Sequence, residues 1–239
     1  MPTDVPNSIY NHSSPPPDSL YESFNSFIFS KDVRVFGKLL FRNHFYNATK
    51  HIPGDIVEVG VFKGSGVASW LKILKVFDSQ TNKKVVGFDF FSKSEVTEYT
   101  SNVKCGEELK KVVDRVDGDE LSQEAITDKL INAGFNSSSF LLVPGNIKIS
   151  TRDFVCKNLG FRISVLYLDV DLGEPTYYAL INLWDRIIPG GYIVFDEYEY
   201  HSFDESAGVE KFLKERELEY SIETTHFVCP TAFMIKKKM

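Results

Sequence analysis

Pro53-Gly54-Asp55-Ile56-Val57-Glu58-Val59-Gly60-Val61-Phe62-Lys63-Gly64-Ser65-Gly66 is the stretch whose reading decides the fold. Ile56 to Val61 is a short β-branched run opened by a Pro-Gly turn, which reads as a buried strand. The glycines that follow let backbone approach a ligand closely, and Gly60 can take the positive φ of a tight turn. A helix through Val67, Trp70, Leu71 and Leu74 comes next. Its N-terminus offers free N–H groups and a positive dipole end. The spacing is E-x-G-x-x-x-G, not the G-x-G-x-x-G of a dinucleotide-binding turn. A Walker A loop is excluded, because Lys63 precedes Gly64 and no Gly-Lys-Ser/Thr occurs.

Outward from this turn, strand and helix alternate. Val85 to Asp89 reads as a second strand, and residues 92–120 as a polar surface insertion or lid. Residues 122–133 read as a helix ended near Gly134. Phe140 to Val143 is a third strand, with a helix near 149–158 behind it. Ile163 to Val170 is a strongly apolar fourth strand. Pro175 opens a helix whose apolar face is Tyr177, Leu180, Ile181 and Trp184. Pro189-Gly190-Gly191 turns the chain into a fifth strand, Tyr192 to Phe195. A helix near 206–216 and strands at about 219–224 and 231–236 complete the chain. This is the pattern of an α/β protein with a seven-stranded, mostly parallel sheet and helices on both faces. Residues 51–239 form that main domain. Residues 21–50, rich in aromatics such as Phe36, Phe41 and Phe45, read as an N-terminal helical cap. Residues 1–20, with Pro15-Pro16-Pro17, read as a flexible arm.

Composition narrows the function classes. The chain has 239 residues, 43% hydrophobic and 25% charged, and a formal net charge of −6. That charge gives no global attraction to nucleic acid or to an anionic membrane. The closing Lys236-Lys237-Lys238 run reads as a solvated tail. Cys105, Cys156 and Cys229 are odd in number and widely spaced, so neither a zinc site nor a disulfide framework is expected. Reduced thiols, together with the lack of a signal-peptide pattern and of an 18-residue apolar run, point to the cytoplasm.

In a doubly wound sheet, ligands bind beyond the carboxyl ends of the strands. Asp89 closes the second strand, where an acid accepts hydrogen bonds from ribose hydroxyls or caps a helix. Pro144-Gly145-Asn146 ends the third, where it suits an adenine edge or an ordinary turn. The most informative cluster is acidic: Asp169 and Asp171 end the fourth strand, Asp196 and Glu197 the fifth. Such crowding needs a cation or a proton to offset the repulsion, and hard oxygen donors suit Mg²⁺ or another hard divalent cation. The alternative is that some of these acids are helix caps or salt-bridge partners. His201, just beyond the fifth strand, is a base candidate or a solvated loop side chain.

The 53–64 segment resembles the PGD-x-x-E-x-GV-aromatic-basic-G signature of the macrocin O-methyltransferase (TylF-like) family. Leu168-Asp169-Val170-Asp171-Leu172 is similar to that family's LDGDL segment, and Pro189-Gly190-Gly191-Tyr192-Ile193-Val194-Phe195-Asp196-Glu197-Tyr198 to its PGGYVIVDDY segment. The resemblance runs in order over roughly residues 50–235. It implies a Rossmann-like class I methyltransferase fold and S-adenosylmethionine-dependent O-methylation of a sugar hydroxyl on a small-molecule acceptor, with a homo-oligomeric habit. The donor-binding set it implies is Glu58, Gly60, Phe62, Lys63, Gly64, Ser65, Asp89, Phe90, Gly145, Asn146 and Asp169. It implies Mg²⁺ on Asp169, Asp196 and Glu197. Base candidates for the hydroxyl proton are Asp169, Asp171 and His201. Three departures stand out. Glu197 replaces the second Asp of the family pair, Gly173-Glu174-Pro175-Thr176 replaces Tyr-Glu-Ser-Thr, and the segment after Asp89 differs. A nicotinamide-dependent oxidoreductase and a non-catalytic protein on the same fold are the competing readings; binding of the donor or of NAD(P)H in calorimetry separates them.

Overall fold

The computed structural model describes residues 18–103 and 106–237. The chain divides into two compact units, one up to Phe36 and one from Gly37 onward. In the first, α1 (Asp18–Ile28) has no buried residue, and the Phe27 and Phe36 rings lie 6.3 Å apart. Most of the expected arm, residues 1–17, falls outside the described residues, and residues 18–20 are the first turn of α1. The next helix, α2 (Arg34–Thr49), starts in this unit, and its residues from Gly37 on belong to the second.

The second unit runs β1 (Asp55–Val59), α3 (Ser65–Phe77), β2 (Val85–Asp89), α4 (Lys93–Ser101), α5 (Gly106–Asp114), α6 (Gln123–Asn132), β3 (Phe140–Pro144), α7 (Ile147–Lys157), β4 (Ile163–Leu168), α8 (Gly173–Leu183), β5 (Ile187–Phe195), α9 (Glu205–Glu215), β6 (Glu223–Thr224) and β7 (Ala232–Ile235). The sheet order is β3-β2-β1-β4-β5-β7-β6. The five strands from β3 to β5 are parallel, and β7 pairs antiparallel with β5 and β6. The chain winds outward from β1 through β2 to β3, then returns to start the other half at β4. The switch point therefore lies between β1 and β4, where a ligand crevice is expected.

Burial on both faces explains the apolar strands. Val57, Val59, Leu166, Leu168, Ile193 and Phe195 join α7, α8 and α9 in one core. Their neighbours Ile56, Val165, Tyr167 and Val194 point the other way, into a core with Phe45 and Tyr46 of α2, Trp70 and Leu74 of α3 and Ile126 of α6. Period-two alternation thus feeds two cores rather than one core and solvent.

The structure departs from the sequence reading in four places. Residues 92–120 hold α4 and α5, which bury Val113, Val116 and Leu121 against Val96 and Leu109 in a small core of their own. Dense surface charge hides that apolar spacing, although Ser92 and Glu95 carry the start signal: the Ser92 hydroxyl accepts from the Glu95 N–H at 3.3 Å. Pro189-Gly190-Gly191 is a bulge inside β5, and the pairing steps from Ile163–Ile187 to Val165–Tyr192. Gly190 takes φ +88 and donates its N–H to the Lys236 carbonyl at 2.7 Å. The sixth strand shortens to two residues, because Tyr220 packs edge-on against Trp184 at 5.1 Å. Nor are the last lysines all solvated. Lys236 is 5% exposed, lies 3.7 Å over the Trp184 ring and donates to the Trp184 carbonyl, and burial lowers its pKa to about 8. Lys237 donates to the Glu219 carbonyl at 2.6 Å, and Lys238 lies outside the described residues. Cys156 and Cys229 are free, Cys105 lies outside the described residues, and no described helix is long and apolar enough to cross a membrane.

Helices α8 and α9 meet backbone to backbone. A Cβ on Gly208 would lie 2.1 Å from the Gly173 carbonyl oxygen, and one on Gly173 would lie 2.6 Å from that of Asp204. Gly208→Ala is expected to cost about 2–4 kcal/mol in urea denaturation through overpacking. Gly160→Ala, where a Cβ meets nothing within 4 Å, is expected to stay within about 0.5 kcal/mol of the parent.

Candidate active site

Parallel pairing continues one residue past each strand. Gly60 donates to the Phe88 carbonyl at 2.9 Å, Asp169 to that of Val59 at 2.8 Å, and Asp196 to that of Leu168 at 3.0 Å. Gly60, Asp169 and Asp196 therefore stand side by side at the carboxyl ends of β1, β4 and β5. Gly60 has φ +94, and a Cβ there would lie 1.8 Å from the Asp169 carbonyl oxygen. Only glycine allows the two chain ends to come so close. Gly64, at φ +87, turns the chain into α3. Gly66 is needed for a different reason: the Glu58 carboxylate fills the place of its side chain, with Oε1 1.8 Å from an added Cβ.

Asp89 holds this turn. Its Oδ2 accepts from the N–H groups of Val61 at 2.7 Å and Phe62 at 2.9 Å, so the acid expected to meet a ribose also braces the glycine loop. Beside it opens a cavity of about 300 Å³, lined by Glu58, Gly60, Phe62, Ser65, Asp89, Phe90, Asn146, Asp169 and Asp171 among the residues singled out in the sequence. Helices α4 and α5 contribute Val96, Tyr99, Leu109, Val112 and Val113, and Tyr99 donates to Glu174 Oε2 at 2.8 Å.

Not every candidate reaches the cavity. Lys63 pairs with Glu120 instead. Gly145, at φ +114, serves the turn before α7, and Asn146 caps that helix by accepting from the Lys148 N–H at 3.0 Å. Asp196 and Glu197 are not among the lining residues, and Asp196 is fully buried. His201 is exposed and does not line the cavity.

The residues not foreseen are the cations and two buried partners. Helix α2 carries Lys38 and Arg42 four residues apart, on one face. Arg42 donates to Glu58 Oε1 at 2.9 Å, and its guanidinium lies 4.7 Å from the Tyr167 ring. Glu58 Oε2 is buried without a partner. Lys38 Nζ lies 3.0 Å from Asp169 Oδ2 and 2.7 Å from Asp196 Oδ2. Burial works against the Lys38 charge, yet the fields of Asp169 and then Asp196 outweigh it and raise its pKa. Tyr167 donates to the other Asp196 oxygen at 2.5 Å. Glu205, wholly buried, accepts the Glu197 N–H at 2.7 Å through Oε2, while its Oε1 has no partner. The only trace of the Lys38–Arg42 pair in the sequence is its i, i+4 spacing within an aromatic helix.

Crowding sets the electrostatics. Burial, then Asp169 and Asp196, push Asp171 up to about 7. Burial, then Asp196, Asp171 and Asp169, push Glu197 up to about 8. Burial likewise raises Asp196 and Glu205. Lys38 is the one cation in contact with Asp169 and Asp196 among the described residues. No three His, Cys, Asp or Glu among the described residues converge as a set that could hold a metal ion.

A parallel sheet with its crevice at the β1/β4 switch point, a glycine turn braced by a strand-end acid, and carboxylates facing the same crevice define a class I methyltransferase fold. Solved structures agree. The calicheamicin methyltransferase CalS11 is similar with a TM-score of 0.69 at 20% identity, covering 96% of this chain and 89% of that one. The O-methyltransferase NovP is similar at 0.67 and 19%, covering 84% and 80%. The family model for macrocin O-methyltransferase (TylF) matches residues 44–231, and the chain belongs to that family. Among curated relatives, the demethyldecarbamoylnovobiocin O-methyltransferase of Streptomyces niveus is 27% identical over 150 residues, 62% of this chain and 54% of the relative. The mycinamicin III 3''-O-methyltransferase of Micromonospora griseorubida is 25% identical over 149 residues, 62% and 56%. The match thus spans about half the length of these relatives.

The Arg42–Glu58 pair is buried on both sides, with side-chain exposures of 5% and 2%. Arg42→Met is expected to destabilise by about 3–5 kcal/mol in chemical denaturation, since it strands a buried carboxylate. Adding Glu58→Gln should recover a large part of that loss in a double-mutant cycle.

Proposed function

We propose that this chain transfers a methyl group from S-adenosylmethionine to a hydroxyl of a sugar or sugar-bearing small molecule. The observation that carries the reading is the cavity itself: the braced glycine turn forms one wall and Asp169 and Asp171 form the other. Family membership favours methyl transfer over hydride transfer, and the names of the curated relatives favour a sugar acceptor.

The residues present suit the donor. Glu58 Oε2, buried and unpartnered, suits an ammonium group such as an amino-acid moiety carries. Asp89 and Asn146 line the same cavity, where they suit ribose and base, and Gly60 lets the ends of β1 and β4 approach beside it. When bound, S-adenosylmethionine supplies an electrophilic methyl on a sulfonium. The protein's task is to align a hydroxyl in line with that methyl and to accept its proton. Asp171 is the base assigned here. It lines the cavity, is not among the carboxylates Lys38 contacts, and sits near the pKa at which a base is effective at neutral pH. His201 is set aside because it lies outside the cavity.

For a hard divalent cation the oxygen donors at hand are Asp169, Asp196 and Glu197; with Lys38 seated on the two aspartates they do not converge as a ligand set, while Glu197 Oε2 and Glu205 Oε1 are buried and unpartnered. Such an ion would act as a Lewis acid and template for the acceptor oxygen. A small-molecule acceptor and a homo-oligomeric assembly complete the reading.

Methyl transfer is to be assayed over a panel of sugars and nucleotide sugars, with donor binding followed by calorimetry. Asp196→Ala is expected to lower transfer by about 100-fold or more while changing donor affinity only slightly, and Asp169→Ala to lower both transfer and donor affinity. Absence of donor binding by the parent chain would sink the methyltransferase reading. Full activity in EDTA would sink the metal alone.

A further inference from the structure

The gap between Asp169 and Asp196 already has an occupant. The Lys38 ammonium contacts one oxygen of each, at 3.0 and 2.7 Å, and it arrives from α2 rather than from the strands that carry the acids. Its side chain is 27% exposed, and it lines the cavity. A long, flexible stem with a point charge at its end can withdraw without disturbing its helix. The contact with the buried Asp196 is an ion pair at 2.7 Å. One positive charge falls short of the local demand. Asp171, Glu197 and Glu205 crowd the same corner, and Glu197 Oε2 and Glu205 Oε1 are buried without a partner.

We propose that Lys38 is a built-in occupant of the cation position, so that its ammonium and a divalent metal ion exclude one another from the Asp169–Asp196 pair. The inference rests on the reading of these two acids as the cation-facing pair of the site. A metal ion needs the very lone pairs that Lys38 contacts, and two cations sharing them would repel at contact distance. The ammonium therefore sets how tightly the pair takes a metal. With Lys38 seated, one oxygen of each acid is taken by the ammonium, and no three-ligand set forms among the described residues. With Lys38 withdrawn, the full charge of the pair is available.

The test is a Mn²⁺ titration of the full chain followed by electron paramagnetic resonance, with thermal unfolding recorded alongside. Lys38→Met and Lys38→Gln are expected to bind Mn²⁺ at least about tenfold more tightly than the parent, whether the parent binds weakly or not at all. Lys38→Arg, which keeps the charge, should stay near the parent. Adding Asp196→Asn to Lys38→Met should abolish the gain. Binding by both neutral variants that is equal to or weaker than the parent's overturns the proposal, as does a gain that survives Asp196→Asn. The catalytic role of a metal is judged separately, by EDTA on the parent's transfer reaction. Transfer that survives EDTA removes that role and leaves the exclusion by Lys38 intact.

Discussion

Carboxylates gathered at the end of a sheet repel one another, and burial makes the repulsion worse. In this chain α2 answers both problems. Arg42 neutralises Glu58 beneath the glycine turn, and Lys38, one helical turn earlier, neutralises the pair formed by Asp169 and Asp196. The same helix buries Phe45 and Tyr46 against the sheet. Apolar packing therefore fixes the height at which the two charges enter, and the charges make the acidic strand ends tolerable. The glycine turn depends on this arrangement, because the space beside Gly66 is filled by a Glu58 carboxylate held by Arg42.

Much of the fold was legible because parallel strands buried on both faces must be apolar throughout. Val85 to Asp89 and Ile163 to Leu168 show this, and both were found within a residue or two. The glycine loop was legible for a steric reason, since Gly60 and Gly64 occupy conformations that other residues adopt only with strain. Elements whose apolar residues are sparse were less legible. The α4–α5 pair hides three buried side chains among charges, and the sixth strand looked longer because Tyr220 and Ile222 carry strand-like character yet pack against the helical side of the core.

The site divided along another line. Residues that act through backbone shape, such as Gly60, or through position at a strand end, such as Asp89 and Asp169, could be read locally. Residues that act through a distant partner could not. Lys38 meets Asp169 across 131 positions of sequence, and nothing near Lys38 announces an acid. Glu205 looked like an ordinary first-turn acid of a helix, while in the fold it is buried against the Glu197 backbone. Lys63 has a partner its place in the loop did not announce, Glu120, with which it forms an exposed ion pair. Asp89 showed that one side chain can hold its own loop and still face the cavity.

The small core under α4 and α5 joins two duties. Val113, Val116 and Leu121 pack apart from both faces of the sheet, yet Val113 and Leu121, with Val96 and Leu109 against them, also line the cavity beside Tyr99 and Val112. The side chains that hold this segment together are thus among those it shows the crevice. A substitution that reshapes the cavity from this side also touches the segment's own support, while the strands keep theirs.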